Sequence, residues 1–165
     1  MTHSTTKGAV NALLGEYERA ISELRQTISD ISEAELNTIV DNTTLDPNCK
    51  SIQTILAHVV RAAYSYAIYI QKLKGSDMER PSLLFRKTIG EFQQDLNDAF
   101  YFTTEVFKNI NDGDLEEFDD SKKILSPWGQ RYDIEQMMEH AIVHILRHRR
   151  QINKFKQLLR KQSHE

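Results

Sequence analysis

One cysteine, Cys49, is the whole thiol complement of this 165-residue chain, so no intrachain disulfide can form. That excludes a disulfide-stapled scaffold and fits a reducing compartment. Proline and glycine are scarce, three and six, so little interrupts long helices. No apolar run approaches the roughly 18 residues of a membrane-spanning helix. Positive charge is not in excess: the net charge is −3 with histidines neutral, so no overall basic field argues for nucleic acid or an acidic membrane. The N-terminus has neither a basic stretch nor a continuous apolar one, so no signal peptide is read and a cytoplasmic location is expected. What remains is 39% hydrophobic and 27% charged residues, the composition of a globular chain, expected to form a single domain over residues 1–165.

Helical periodicity dominates. Val10, Leu13, Leu14, Tyr17, Ile21, Leu24 and Ile28 mark a first helix from about Thr6 to Ser29. A capping-box turn follows at Ser32–Glu35, then a loop from Asp41 to Lys50 rich in Asn, Thr, Asp and Pro. Ser51 is a plausible N-cap for a second helix running to about Lys74, ahead of Gly75. A third helix is expected from near Pro81 to about Asn109. The stretch from Asn111 to Tyr132 reads as irregular. A fourth helix, capped by Asp133 with Gln136 three residues on, runs to about Lys161. The expected fold is an all-α four-helix bundle. Its connections between helices one and two, and three and four, are about twenty residues, long enough to permit crossovers and to cover a site. The connection between helices two and three is short, which predicts an antiparallel hairpin.

Chemistry concentrates on the fourth helix. His140, His144 and His148 recur every fourth residue, so all three imidazoles project from roughly one side of one helix. Neighbouring turns bring such side chains within reach of a common ion. His144 and His148 fall inside the apolar stripe of Ile134, Met137, Ala141, Ile145, Ile152, Phe155 and Leu159, whereas His140 falls at its edge. Buried imidazole nitrogens need partners. A catalytic zinc-type site uses three protein ligands and leaves a position open. The best third candidate is His58, near the border of the second helix's apolar face with Tyr69; His3 and His164 lie near the termini.

With these residues in place, the chain resembles the DinB/YfiT-like four-helix-bundle metalloproteins. The string Ser51–His58 on the second helix and His144–Ile152 on the fourth match that family's pattern of one histidine followed by a paired H-x3-H within an HxxxHRGQ-like string. The resemblance covers nearly the whole chain. It implies metal ligation by His58, His144 and His148, with Arg149, Gln151 and Ile152 matching the rest of the string. Arg150 stands where the family usually has glycine. The resemblance also implies one divalent ion, nickel or zinc, and a homodimer. Characterised relatives include transferases and isomerases that use low-molecular-weight thiols such as bacillithiol.

The resulting expectation is a metal-dependent thiol S-transferase, or a related hydrolase, in which a metal-bound thiol attacks an electrophilic substrate. The alternative is a non-catalytic, stress-associated metal-binding or interaction protein on the same scaffold. No catalytic acid or base can be assigned. His140, Gln151, Tyr69 and Trp128 are candidates for supporting or pocket-lining positions. Trp128 lines a pocket or anchors its loop, and the anchor role is preferred. The pattern at His144–His148 lacks the glutamate of an H-E-x-x-H protease. The acidic run Asp112–Asp120 is not a calcium loop, yet it is the one protein segment retained as a source of a fourth ligand. Cys49 reads as an inert thiol. Phe85, Phe92, Phe100, Tyr101, Phe102 and Phe107 read as core. The basic residues from Arg147 to Lys161 form two flanks of a packed helix rather than a nucleic-acid surface.

Overall fold

The computed structural model describes residues 7–162; His3, Thr6 and His164 lie outside that range. The chain forms α1 (Gly8–Ile28), α2 (Glu33–Asn37), α3 (Ile52–Lys72), α4 (Ile89–Phe107) and α5 (Ile134–Gln162), with a two-stranded ribbon of β1 (Ile124–Leu125) and β2 (Arg131–Tyr132) ahead of α5. The four long helices, α1, α3, α4 and α5, form an all-α bundle. Their apolar faces meet in one core whose fully buried members include Leu24, Ile55, Phe92, Leu96 and Met137. No helix among the described residues is long and apolar enough to cross a membrane.

The caps legible in the sequence are made. Ser51 Oγ accepts from Thr54 N–H at 3.1 Å and starts α3. Asp133 accepts from Gln136 N–H at 2.8 Å and starts α5. Ser32 and Glu35 form the expected box around α2.

The start of the third long helix is a correction. Pro81 does not open it; α4 begins at Ile89. Thr88 Oγ1 accepts from Glu91 N–H at 3.3 Å, while the Glu91 carboxylate accepts from Thr88 N–H at 3.0 Å and Lys87 N–H at 3.1 Å. This reciprocal cap outcompetes the proline signal. Residues 73–88 are therefore an extended strap, tied down by a bidentate Arg86–Asp95 pair (both 2.8 Å) and by Gln53 Nε2–H donating to the Arg86 carbonyl at 2.9 Å.

The strap changes the topology. Tyr64 lies against Phe102 with ring centroids 5.4 Å apart, Ala57 and Val60 share a cavity with Asp95, and Ile70 shares one with Val106. Residue numbers rise together along both helices, so α3 and α4 run parallel, not as an antiparallel hairpin. The strap returns the chain along the bundle between them. By the same test α1 is antiparallel to α4, since Gln93 reaches the Arg25 carbonyl and Lys7 reaches the Phe107 carbonyl. It is parallel to α5, since Arg149 meets Glu23 and Arg160 meets Asp30. The two long connections, residues 29–51 and 108–133, are present as expected.

Two further expectations need correction. Phe85 sits on the strap and is 55% exposed, and Tyr101 points outward at 65% exposure, so neither is core, unlike Phe92 and Phe107. The stretch 111–132 is also not wholly irregular. Ser126 N–H donates to the Gln130 carbonyl at 2.8 Å, Gly129 N–H donates to the Ser126 carbonyl at 2.9 Å, and Gly129 takes φ +86°. A three-residue hairpin loop needs a left-handed residue at that place, and glycine supplies it without steric cost.

Candidate metal centre

His58 stands two turns into α3, and His144 and His148 stand on successive turns of the antiparallel α5. The crossing of these helices brings all three rings together. Ring centroids are 4.9 Å apart for His58–His144, 5.1 Å for His58–His148 and 4.4 Å for His144–His148. One ligand nitrogen from each lies within 4.8 Å of the others. The Nε2 atoms of His58 and His144 are 2.9 Å apart. Two imidazole nitrogens bound to one ion at about 2.1 Å stand about 3.0 Å apart at a right angle and about 3.4 Å apart at a tetrahedral one, so the pair is near ligating separation.

The surroundings favour neutral, lone-pair-bearing rings. His148 is only 5% exposed, and burial lowers its pKa to about 4. Burial and the neighbouring histidines push His144 far below its usual value, and burial lowers His58 too. A site already free of protons at neutral pH has none to displace when a cation enters. Tautomers are set in part by Gln151, whose Oε1 lies 2.9 Å from His148 Nδ1. An amide oxygen only accepts, so Nδ1 carries the proton and Nε2 keeps its lone pair for the cluster. His144 Nδ1 is buried without a partner. Placing its proton there leaves Nε2 free to face His58. The donor set, three neutral imidazoles, suits a divalent first-row ion, and the residues therefore fit such a group.

The candidates beside the cluster separate into two sides. His140 is not drawn into it. Its ring stacks on Trp128 with centroids 4.8 Å apart and planes at 21°, and its Nδ1 is 3.5 Å from the Tyr132 hydroxyl. Trp128 does both things considered for it. It holds the hairpin to the bundle through His140 and Tyr66, and at 43% exposure it lines a cavity of about 320 Å³ with Tyr69, His58 and His144. His58 and His144 also line a second cavity of about 470 Å³, with His148, and it is bordered by Asp46, Cys49, Arg147, Arg150 and Lys154. Arg150, in place of the usual glycine, is exposed at the border of this cavity.

The acidic segment Asp112–Asp120 is not near the site. The Asp112 carboxylate accepts from Gly8 N–H at 2.8 Å and Val10 N–H at 2.9 Å at the start of α1. The loop that does face the histidines is Asp46–Cys49, which sequence reasoning passed over as a source of ligands. Asp46 accepts from Asn48 N–H at 2.9 Å, shares the larger cavity with the cluster, and its charge partly offsets the lowering of the His58 and His148 pKa values. The cue was available: an Asp-Pro-Asn-Cys turn directly before the capped helix that carries His58. Cys49, read from the sequence as an inert thiol, is a half-buried free cysteine on this loop. Burial raises its pKa, and its Sγ lies 3.4 Å from Asp46 Oδ2 and 3.9 Å from Gln151 Oε1.

A family model described as the DinB superfamily matches residues 16–152, which include His58, His144 and His148. The chain belongs to the DinB superfamily. No curated protein matches it. As a DinB-superfamily bundle it carries a possible three-histidine metal site at the crossing of α3 and α5. The basic residues of α5 also divide by role in this DinB chain. Arg149, Lys156 and Arg160 pair with Glu23, Asp30 and Glu35, while Arg147, Arg150 and Lys154 border the larger cavity.

Proposed function

We propose that this DinB-superfamily chain is a metal-dependent transferase that passes the sulfur of a low-molecular-weight thiol to an electrophile, with His58, His144 and His148 holding one divalent ion, nickel or zinc. The observation that carries this reading is that His58 and His144 each line two cavities, with His148 on the larger of them. A two-reactant transfer needs two approaches to one centre, and a purely structural ion needs none. A divalent ion bound there supplies Lewis acidity that favours the deprotonated form of a thiol. The chain's own residues do the rest. Gln151 fixes the His148 ring. Arg147, Arg150 and Lys154 set a positive field along the larger cavity, which favours an anionic thiol. The aromatic rings of the smaller cavity offer an electrophile flat faces to pack against. In the balanced reaction the thiol gives up its proton to solvent, its sulfur forms a bond to the electrophilic carbon, and the leaving group departs with the electron pair. The same reading takes the assembly to be a homodimer, which sedimentation equilibrium measures.

Elemental analysis of untagged protein tests the ligand set. His148→Ala should lose the metal, while His140→Ala should retain nearly full stoichiometry; unchanged metal in His148→Ala would sink the site. Anaerobic titration of a small thiol into the cobalt-substituted protein tests the chemistry, because sulfur ligation brings new charge-transfer bands. An invariant spectrum at saturating thiol points instead to the non-catalytic metal-binding reading.

A further inference from the structure

The smaller cavity holds more than aromatic walls. Arg61, one turn after His58 on α3, and Arg80, on the strap, both line it. No carboxylate lines it with them, and among the described residues neither guanidinium makes an ion pair. The Arg61 Nε–H is buried without any acceptor. Arg61 also borders the neighbouring cavity under the strap, but the carboxylates there are engaged: Asp95 by Arg86 and Asp98 by the Gln94 side-chain amide. A buried guanidinium donor left without a partner is costly, and two unpaired arginines lining one cavity offer planar forks that suit an oxyanion. Tyr66, Trp128 and His140 line the same cavity and supply flat ring faces, with Tyr66–Trp128 at 90° and Trp128–His140 stacked. The cavity volume of about 320 Å³ suits a small organic molecule.

We propose that this cavity is the binding site for a small amphipathic organic anion, with an aromatic or similarly flat apolar body against Trp128 and a carboxylate-type head between Arg61 and Arg80. The inference rests on the transferase reading only in naming that anion as the class of electrophile. Occupancy of the cavity is a separate claim. The anion's body would lie beside the open face of His144 and His58, and its head would be held one helical turn away. Arg61 and Arg80 are thus specificity-determining residues that touch the bound molecule and take no part in bond making.

Trp128 is the sole tryptophan, so its emission reports the site. The full-length protein, both metal-loaded and stripped by a chelator, is titrated with 3-phenylpropionate, 3-phenylpropanol and inorganic phosphate. Phenylpropionate should shift Trp128 emission saturably in both forms, bind at least tenfold more tightly than phenylpropanol, and outcompete phosphate. Arg61→Gln and Arg80→Gln should each weaken phenylpropionate at least tenfold and leave phenylpropanol unchanged. Arg80 is exposed, so its variant keeps the test valid if Arg61→Gln impairs folding. Three results would overturn the proposal: no saturable shift, binding that needs metal and ignores both substitutions, or phosphate binding as tightly as phenylpropionate. Failure of thiol ligation in the cobalt protein leaves this titration unaffected, so the two ideas fail separately.

Discussion

At the scale of single residues, Gln151 is the sharpest test of how the histidines are held. Its carbonyl fixes the His148 tautomer from outside the cluster, and such supporting contacts are commonly worth about 10–100-fold in metal affinity. Gln151→Ala should therefore weaken metal binding by about that factor without abolishing it, measured by competition with a chromogenic chelator. A loss as complete as in His148→Ala would show that Gln151 is itself a ligand. Much of this site was legible in the sequence. The i, i+4 spacing put His144 and His148 on one face, and their place in the apolar stripe predicted burial. His58 was the best third candidate because it alone among the remaining histidines lay well inside a helix, but its assignment as a ligand rested mainly on the resemblance of Ser51–His58 to the DinB pattern. Asp46 had only the cue of its turn before the His58 helix, and Arg61 had none: a helix arginine carries no periodic signal, and only the fold gives it its neighbours.

At the scale of elements, capping explains both the successes and the main error. Ser51, Asp133 and Ser32 each sit before a periodic run, so cap and pattern agreed. At the third long helix a proline stood before residues compatible with a helix, and the Thr88–Glu91 box further on was overlooked. Thr88→Ala should cost about 1 kcal/mol of stability, read as a lower urea midpoint with an unchanged slope. Pro81→Ala should change the midpoint little, because Pro81 starts no helix. The parallel run of α3 and α4 was hidden for a related reason. Topology was inferred from connection length, and the length was misjudged once the helix start was placed eight residues too early.

At the scale of the whole molecule, acid should act through the buried histidines and the α1–α5 ion pairs in different windows. The folded His148 pKa is depressed to about 4 from 6.5. The unfolded chain thus takes up a proton first, so stability present above about 6.5 declines as pH falls through 4. Asp30 is held down to about 2 from 3.8, chiefly by hydrogen bonds from Lys156 and Arg160. Its contribution persists above 3.8 and is lost only as pH approaches 2; being largely exposed, it is small. Thermal melts of metal-free protein should show a decline beginning near pH 6.5 that is shallower in His148→Gln, where His58 and His144 still contribute to it. Bound metal should move that decline to lower pH, because protons must then compete with the ion.

The strap has a last consequence for the molecule as an assembly of pieces. Residues 77–80 are exposed and carry no regular structure, which makes them a natural point for a protease to cut. The cut would leave α1 and α3 on one fragment and α4 and α5 on the other. His58 would then belong to the first piece and His144 with His148 to the second. A nicked protein would be held by its core, and a divalent ion would act as a clasp between two separable halves. Dilution of the nicked chain should release the fragments more readily after chelation than before it, with the ion converting a question of ligation into one of reassembly.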